Sequence, residues 1–232
     1  DEQIELAKKR ISDKCRCKRY IAYFQSHTNT YGDIQTLREK FLTAAKRDDI
    51  AAVSIASRPD CFGPEVIDTI RDVNAVKPVW IELGLETSNE RTARLINRCY
   101  DTCIYDETMA KLRELGVHII VHMIIGLPGE SKEDMLETVR YIVRSGADGI
   151  KLQLLHVLRG TVLERMYESG GLHALSFDEY ADILCDCLKE IPPGMVVHRF
   201  TGDGPKNLLV APKWSADKKM VINRLNKIIA DL

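Results

Sequence analysis

Six short β-prone runs recur along this chain, and the stretches between them read as helices. The runs are "YIAYFQ" (20–25), "VSIAS" (53–57), "VWIELGLE" (79–86), "VHIIVHMII" (117–125), "GIKLQLLHV" (149–157) and "MVVHRF" (195–200). Helical stretches between them include "IQTLREKFLTAAKR", "PEVIDTIRDV", "YDETMAKLRELG" and "SKEDMLETVRYIVRSG". Strands that return every ~25–45 residues around a helix are βαβ units, and βαβ units impose a mainly parallel sheet. Capping-box patterns mark four helix starts, at Thr87–Glu90, Ser131–Asp134, Thr161–Glu164 and Ser176–Glu179. The end, "SADKKMVINRLNKIIADL", reads as a closing amphipathic helix, so 201–232 is a C-terminal loop and helix on a single domain of 1–232. The chain enters on a helix, "DEQIELAKKRI", before any strand. In βα order that helix follows a strand, so a first strand and its loop are expected upstream of Asp1.

Alternation along the strands then narrows the architecture. In "VWIELGLE", Val79, Ile81, Leu83 and Leu85 share one face, and Trp80, Glu82, Gly84 and Glu86 the other. His122 falls on one face of the fourth strand, Lys151 and Gln153 on one face of the fifth, and Tyr23, Gln25 and His27 on one face of the first. Parallel strands covered by helices on both sides are apolar on both faces, and these are not. Inward charges are costly unless they are paired or bound. The pattern therefore predicts a partial (β/α) TIM-like barrel whose polar face holds a polar ligand. The plainer alternative is an open sheet with internal salt bridges, Glu82 to Lys151 among them. In barrels the working residues sit at the C-terminal strand ends, where His27, Glu86, His122 and the turn 126–129 lie.

Composition excludes several functions. An apolar fraction of 45% suits a packed core, and no apolar run approaches a membrane span. With 33 basic against 34 acidic residues, no global field recruits nucleic acid or anionic lipid. Seven cysteines without regular spacing read as reduced thiols of a cytoplasmic protein rather than a disulfide frame.

The motifs are individually weak. "GLPGES" (126–131) lacks the Lys-Ser/Thr ending of a phosphate loop and the three-glycine spacing of a dinucleotide fold. His118 and His122 on one strand stand ~13 Å apart, too far for one metal ion. Of the cysteines, only "CYDTC" (99–103) could bring two thiols together, and no further pair completes a metal set. Arg58 and Asp60 frame a proline turn, either as a substrate contact or simply as a loop ion pair. His156 and Arg159 follow the fifth strand, and His198, Arg199 and Asp203 the last.

Taken in order, "YIAYFQSHTNTY", "SRPDC", "WIELGLETSNERTARLINR", "HMIIGLPGE", "DGIKLQLLHVLRGT", "FDEY" and "HRFTGDGPKNLLVAPKW" resemble the radical S-adenosylmethionine superfamily. The similar branch includes the oxygen-independent coproporphyrinogen oxidases, the Elongator catalytic subunit and a bacterial YhcC-like group. The resemblance implies an oxidoreductase-like enzyme with a 4Fe-4S cluster and S-adenosylmethionine. The cluster reduces the sulfonium, and the resulting 5′-deoxyadenosyl radical takes hydrogen from a substrate. It also implies a reducing partner such as flavodoxin or ferredoxin, a small-molecule or tRNA substrate, and no membrane. Position by position, Ser26, His27 and Thr28 match the segment at the cofactor's amino group, Glu86 a ribose contact, and Arg98 the arginine on the methionine carboxylate. His122 stands where the coproporphyrinogen branch has an acidic ribose contact. Lys151, His156 and His198 remain as substrate candidates. The three cluster cysteines are expected upstream of Asp1, and "NRCYD" replaces the Gly-His that usually follows the arginine. Two other readings stay open: a nucleotide- or tRNA-binding barrel without radical chemistry, with "AKKR" and "KCRCKR" on phosphates, and a zinc- or Schiff-base-dependent lyase using Lys151.

Overall fold

A computed structural model describes residues 2–11, 17–202, 204–230 and 232. The first half runs α1 (Glu2–Ile11), β1 (Tyr20–Phe24), α2 (Ile34–Ala45), β2 (Ile50–Ser57), α3 (Pro64–Asn74), β3 (Val79–Glu86), α4 (Glu90–Leu95), α5 (Thr102–Glu114) and β4 (His118–Ile125). The second runs α6 (Lys132–Arg144), β5 (Gly149–Leu154), β6 (Val157–Leu158), α7 (Val162–Glu168), α8 (Phe177–Lys189), β7 (Val196–Arg199), β8 (Leu209–Ala211) and α9 (Lys218–Ala230). Six strands take the sheet order β1-β2-β3-β4-β5-β7, while β6 and β8 make a two-stranded antiparallel sheet. The pairs β1–β2, β2–β3 and β5–β7 are parallel.

The chain divides into two compact units, Asp1–Gly84 with Cys103–Ile120, and Leu85–Thr102 with Val121–Leu232. β3 and β4 each begin in the first unit and end in the second. In the first unit, β2 is buried along most of its length, with Val53 and Ile55 completely so. The amphipathic helices α2 and α3 supply Phe41, Ile70 and Val73 to its core, and Phe24 meets the Phe41 ring edge-on at 4.9 Å. In the second unit, α6 and α8 bury Val139, Ile142, Tyr180 and Leu184. A satellite cluster of Val157, Leu172 and Ala211 packs where β6 meets β8.

The polar and apolar alternation expected of β3 is observed: Val79, Ile81, Leu83 and Leu85 are fully buried, while Trp80, Gly84 and Glu86 are only partly so. Three expectations need correction. The helix after β3 is capped by Asn89, whose side chain accepts from Arg91 N and Thr92 N, and not by Thr87. The expected strand 149–157 breaks after Leu154, and the antiparallel β6–β8 pair was not foreseen. Of the described cysteines, Cys61, Cys99, Cys103, Cys185 and Cys187 are free, but Cys17 is disulfide-bonded, which departs from a fully reduced set. Asp203 and Cys15 lie outside the described residues. Among the described residues, no helix is long and apolar enough to cross a membrane.

Candidate functional site

Non-glycine residues in left-handed backbone geometry cost about 1–3 kcal/mol each and persist only where the surroundings hold them. Among the described residues five stand out: Ser26, His27, Glu86, Asn97 and Cys99. Three are expected cofactor residues, and the other two flank Arg98. Each of them is therefore a residue that the resemblance assigns to the cofactor, or the chain neighbour of one.

In the first unit, Ser26 (φ 69°) and His27 (φ 63°) turn the chain immediately after β1. Asn29 holds that turn: its Nδ2 donates to the carbonyls of His27 at 3.3 Å and Ala56 at 3.0 Å. Ser26 and His27 are exposed, while Thr28 is half-buried. Thr30 behind them bonds the Ser57 hydroxyl in a buried contact at the end of β2. Deeper in the same unit, Glu82 is only 4% exposed. The Tyr23 hydroxyl donates to Glu82 Oε2 at 2.6 Å and Ser54 Oγ to its Oε1 at 3.0 Å. The small side chains of Ser54 and Ala56 on β2 let the phenol reach across to β3, so the inward carboxylate is paired as its cost demands.

In the second unit, Glu86 ends β3 at φ 66°. It is half-buried, its carboxyl has no hydrogen-bond partner among the described residues, and its pKa is pushed up to about 7. Burial raises it, and the positive charge of Arg98 offsets part of that rise. A carboxylate left without a partner at a strand end is suited to accept hydrogen bonds from a ligand's hydroxyl or amine.

Arg98 has a side chain only 3% exposed, and its guanidinium ties the neighbouring turn together. It donates to the carbonyls of Thr87 at 2.7 Å and Tyr100 at 2.9 Å, to Thr102 Oγ1 at 3.0 Å and to Glu90 Oε1 at 3.2 Å. The Tyr100 ring lies under it, 4.5 Å from centroid to guanidinium carbon. One carboxylate is thus already on Arg98, and a ligand's carboxylate would have to take its place. The other oxygen of Glu90, Oε2, is buried without a partner.

The turn after β4 has Gly126 at φ 92° and Gly129 at φ 75°, the left-handed geometry that glycine adopts without cost. The N-terminus of α6 beyond it is capped from within. Ser131 and Asp134 form a reciprocal capping box, and Asp134 also receives Asn89 Nδ2 at 3.0 Å. Glu130, which spacing did not single out, receives the Thr87 hydroxyl, and burial raises its pKa. Its only advance signal was its place at the end of "GLPGE".

His122 is half-buried, with Nδ1 3.1 Å from Gln153 Nε2. Lys151 is the cross-strand partner of Arg199. His156 lies between two glycines: a Cβ on Gly202 would stand 2.9 Å from its Cε1, and one on Gly204 3.3 Å from its Cδ2. His198 is exposed, and its ring lies so close to Gly149 that a Cβ there would come within 2.6 Å. Arg58 and Asp60 pair within their loop at 2.7 Å, which holds the Asp60 carboxyl below its usual range. Cys187 is buried, and its thiol is pushed up to about 12 by burial, so it is inert. No group of three or more metal-ligating side chains occurs among the described residues.

Comparison with known proteins adds independent findings. Residues 1–142 match the Radical SAM superfamily, and 147–230 match the Radical_SAM C-terminal domain. YtqA of Bacillus subtilis is 45% identical over 220 residues, which are 95% of this chain and 68% of YtqA. Protein YhcC of Escherichia coli is 33% identical over 204 residues, 88% of this chain and 66% of YhcC. The chain thus spans about two thirds of the length of these relatives. The structure of Elp3 from the archaeon Methanocaldococcus infernus superposes with a TM-score of 0.80 at 16% identity, over 97% of this chain and 58% of that one. That likeness shows the fold, a partial (β/α) barrel.

Proposed function

This chain belongs to the radical SAM superfamily, and we propose from that premise that it is the core of an enzyme that reductively cleaves S-adenosylmethionine. When bound, a 4Fe-4S cluster would supply the electron for that cleavage, and S-adenosylmethionine would supply the group that abstracts hydrogen. One observation supports the reading most: among the described residues, the five strained non-glycine residues all fall on or beside residues that the resemblance assigns to this cofactor.

This chain's own residues fit S-adenosylmethionine. Glu86 is an acceptor without a partner, suited to ribose hydroxyls, and the 26–28 turn offers polar groups for the amino end. Arg98 takes the methionine carboxylate by exchanging Glu90 for it, a swap between like groups that leaves its bonds to the Thr87 and Tyr100 carbonyls in place. His122, steadied by Gln153, serves the ribose side. With a pKa of about 7, Glu86 gains its acceptor form as pH rises from 6 to 8, so cofactor binding strengthens over that interval. The described residues offer no ligand set for the cluster, and none of them is assigned an iron.

The test is anaerobic reconstitution of the full-length protein with iron and sulfide, then S-adenosylmethionine with dithionite. Formation of 5′-deoxyadenosine is expected. A cluster-loaded protein that leaves the cofactor intact overturns the proposal. Salt-dependent tRNA binding without cofactor turnover would point instead to the binding-module reading.

A further inference from the structure

α4 carries two exposed arginines, Arg91 and Arg94, and among the described residues neither side chain makes a hydrogen bond or an ion pair. Exposed ion pairs are common elsewhere on this protein: Arg140 reaches Glu133 and Glu190, and Lys132 reaches Asp182 and Asp186. Asp134 feels the charge of Arg91 from a distance, and its oxygens are already committed to Ser131 and Asn89. Beside the arginines Leu95 is 51% exposed. An open groove of about 670 Å³, lined by Arg91, Thr92, Arg94, Leu95, Pro128 and Gly129, joins this helix to the turn after β4.

We propose that this groove is the docking surface for an acidic electron-donor protein. Two unpaired guanidiniums beside an exposed apolar side chain are the anchor types that dominate protein interfaces. Their sign selects a negatively charged partner and speeds its encounter. The leucine and proline lining is what a protein side chain fills, whereas a nucleic-acid backbone would leave it uncovered. The choice of an electron donor rests on the proposed function, since each reductive cleavage consumes one electron that this chain does not hold.

The experiment uses the full-length, cluster-loaded protein with reduced flavodoxin as the probe. It compares the wild type with R91E/R94E, L95S and the distant control K227E. Flavodoxin binding, measured without turnover at low and at high salt, is expected to weaken about tenfold in R91E/R94E and less in L95S, with K227E unchanged. Cleavage driven by flavodoxin falls in parallel, while cleavage driven by dithionite stays within about twofold. Equal flavodoxin binding by wild type and R91E/R94E overturns the proposal. So does a loss of tRNA binding or of self-association in that variant with flavodoxin binding intact. If flavodoxin binds through the arginines but dithionite yields no 5′-deoxyadenosine, the docking surface stands and the catalytic reading falls.

Discussion

Glu86 concentrates three costs in one residue: left-handed backbone, burial and a carboxyl without a partner. Its raised pKa has a direct consequence for stability. Unfolded, the side chain ionises near its ordinary value of 4.5; folded, it holds its proton to about 7. The folded state therefore binds more protons between those values, and stability is lost as pH rises from about 4.5 through 7. Glu86→Gln should match the wild type at pH 4 and exceed it by about 2–3 kcal/mol at pH 8 in urea unfolding. Equal stability at both pH values would mean that the carboxyl is solvated after all. Arg98→Ala should act oppositely, since it strips donors from the Thr87 and Tyr100 carbonyls. A loss of about 3 kcal/mol or more is expected by the same measurement. Sequence could mark Glu86 as a polar strand end, because alternation fixes which way a strand residue points. It could not show that Arg98 already carries a carboxylate, since Glu90 lies eight residues away across a turn whose geometry depends on Asn97 and Cys99.

Helix starts were legible wherever the cap is purely local. Ser131–Asp134 and Ser176–Glu179 form complete boxes because both partners lie within one turn. At Thr161 half the box forms: its hydroxyl accepts from Glu164 N, while Glu164 Oε2 takes Gly160 N instead. The Thr87–Glu90 pattern failed for a tertiary reason. Glu130 claims the Thr87 hydroxyl and Arg98 claims Glu90, so Asn89 caps α4. Strand β8 escaped notice because three residues carry no usable period. Ser131→Ala should cost about 1 kcal/mol in urea unfolding, since it removes the hydroxyl that accepts from Asp134 N. A cost near zero would show that Asp134 alone suffices to cap α6.

The recurrence of strands gave the parallel order of the molecule in advance, since a parallel neighbour needs a long crossover and the spacing supplied one. The division into two units left no such trace, because its boundaries fall inside strands rather than at linkers: one at Gly84–Leu85 in β3, another at Ile120–Val121 in β4. That placement has a consequence for unfolding. A strand is a hydrogen-bonded element that loses its ladder as a whole, so a unit that lets go of its half of β3 or β4 frays the remainder. Each unit has its own core isoleucine at 0% exposure, Ile70 on α3 in the first and Ile142 on α6 in the second. Either one changed to Ala should cost about 2–5 kcal/mol. Each variant should also shift the entire urea transition while fluorescence and circular dichroism stay coincident. Two separated transitions in Ile70→Ala, one displaced and one unmoved, would show instead that the units melt independently and that β3 and β4 can be cut at mid-strand.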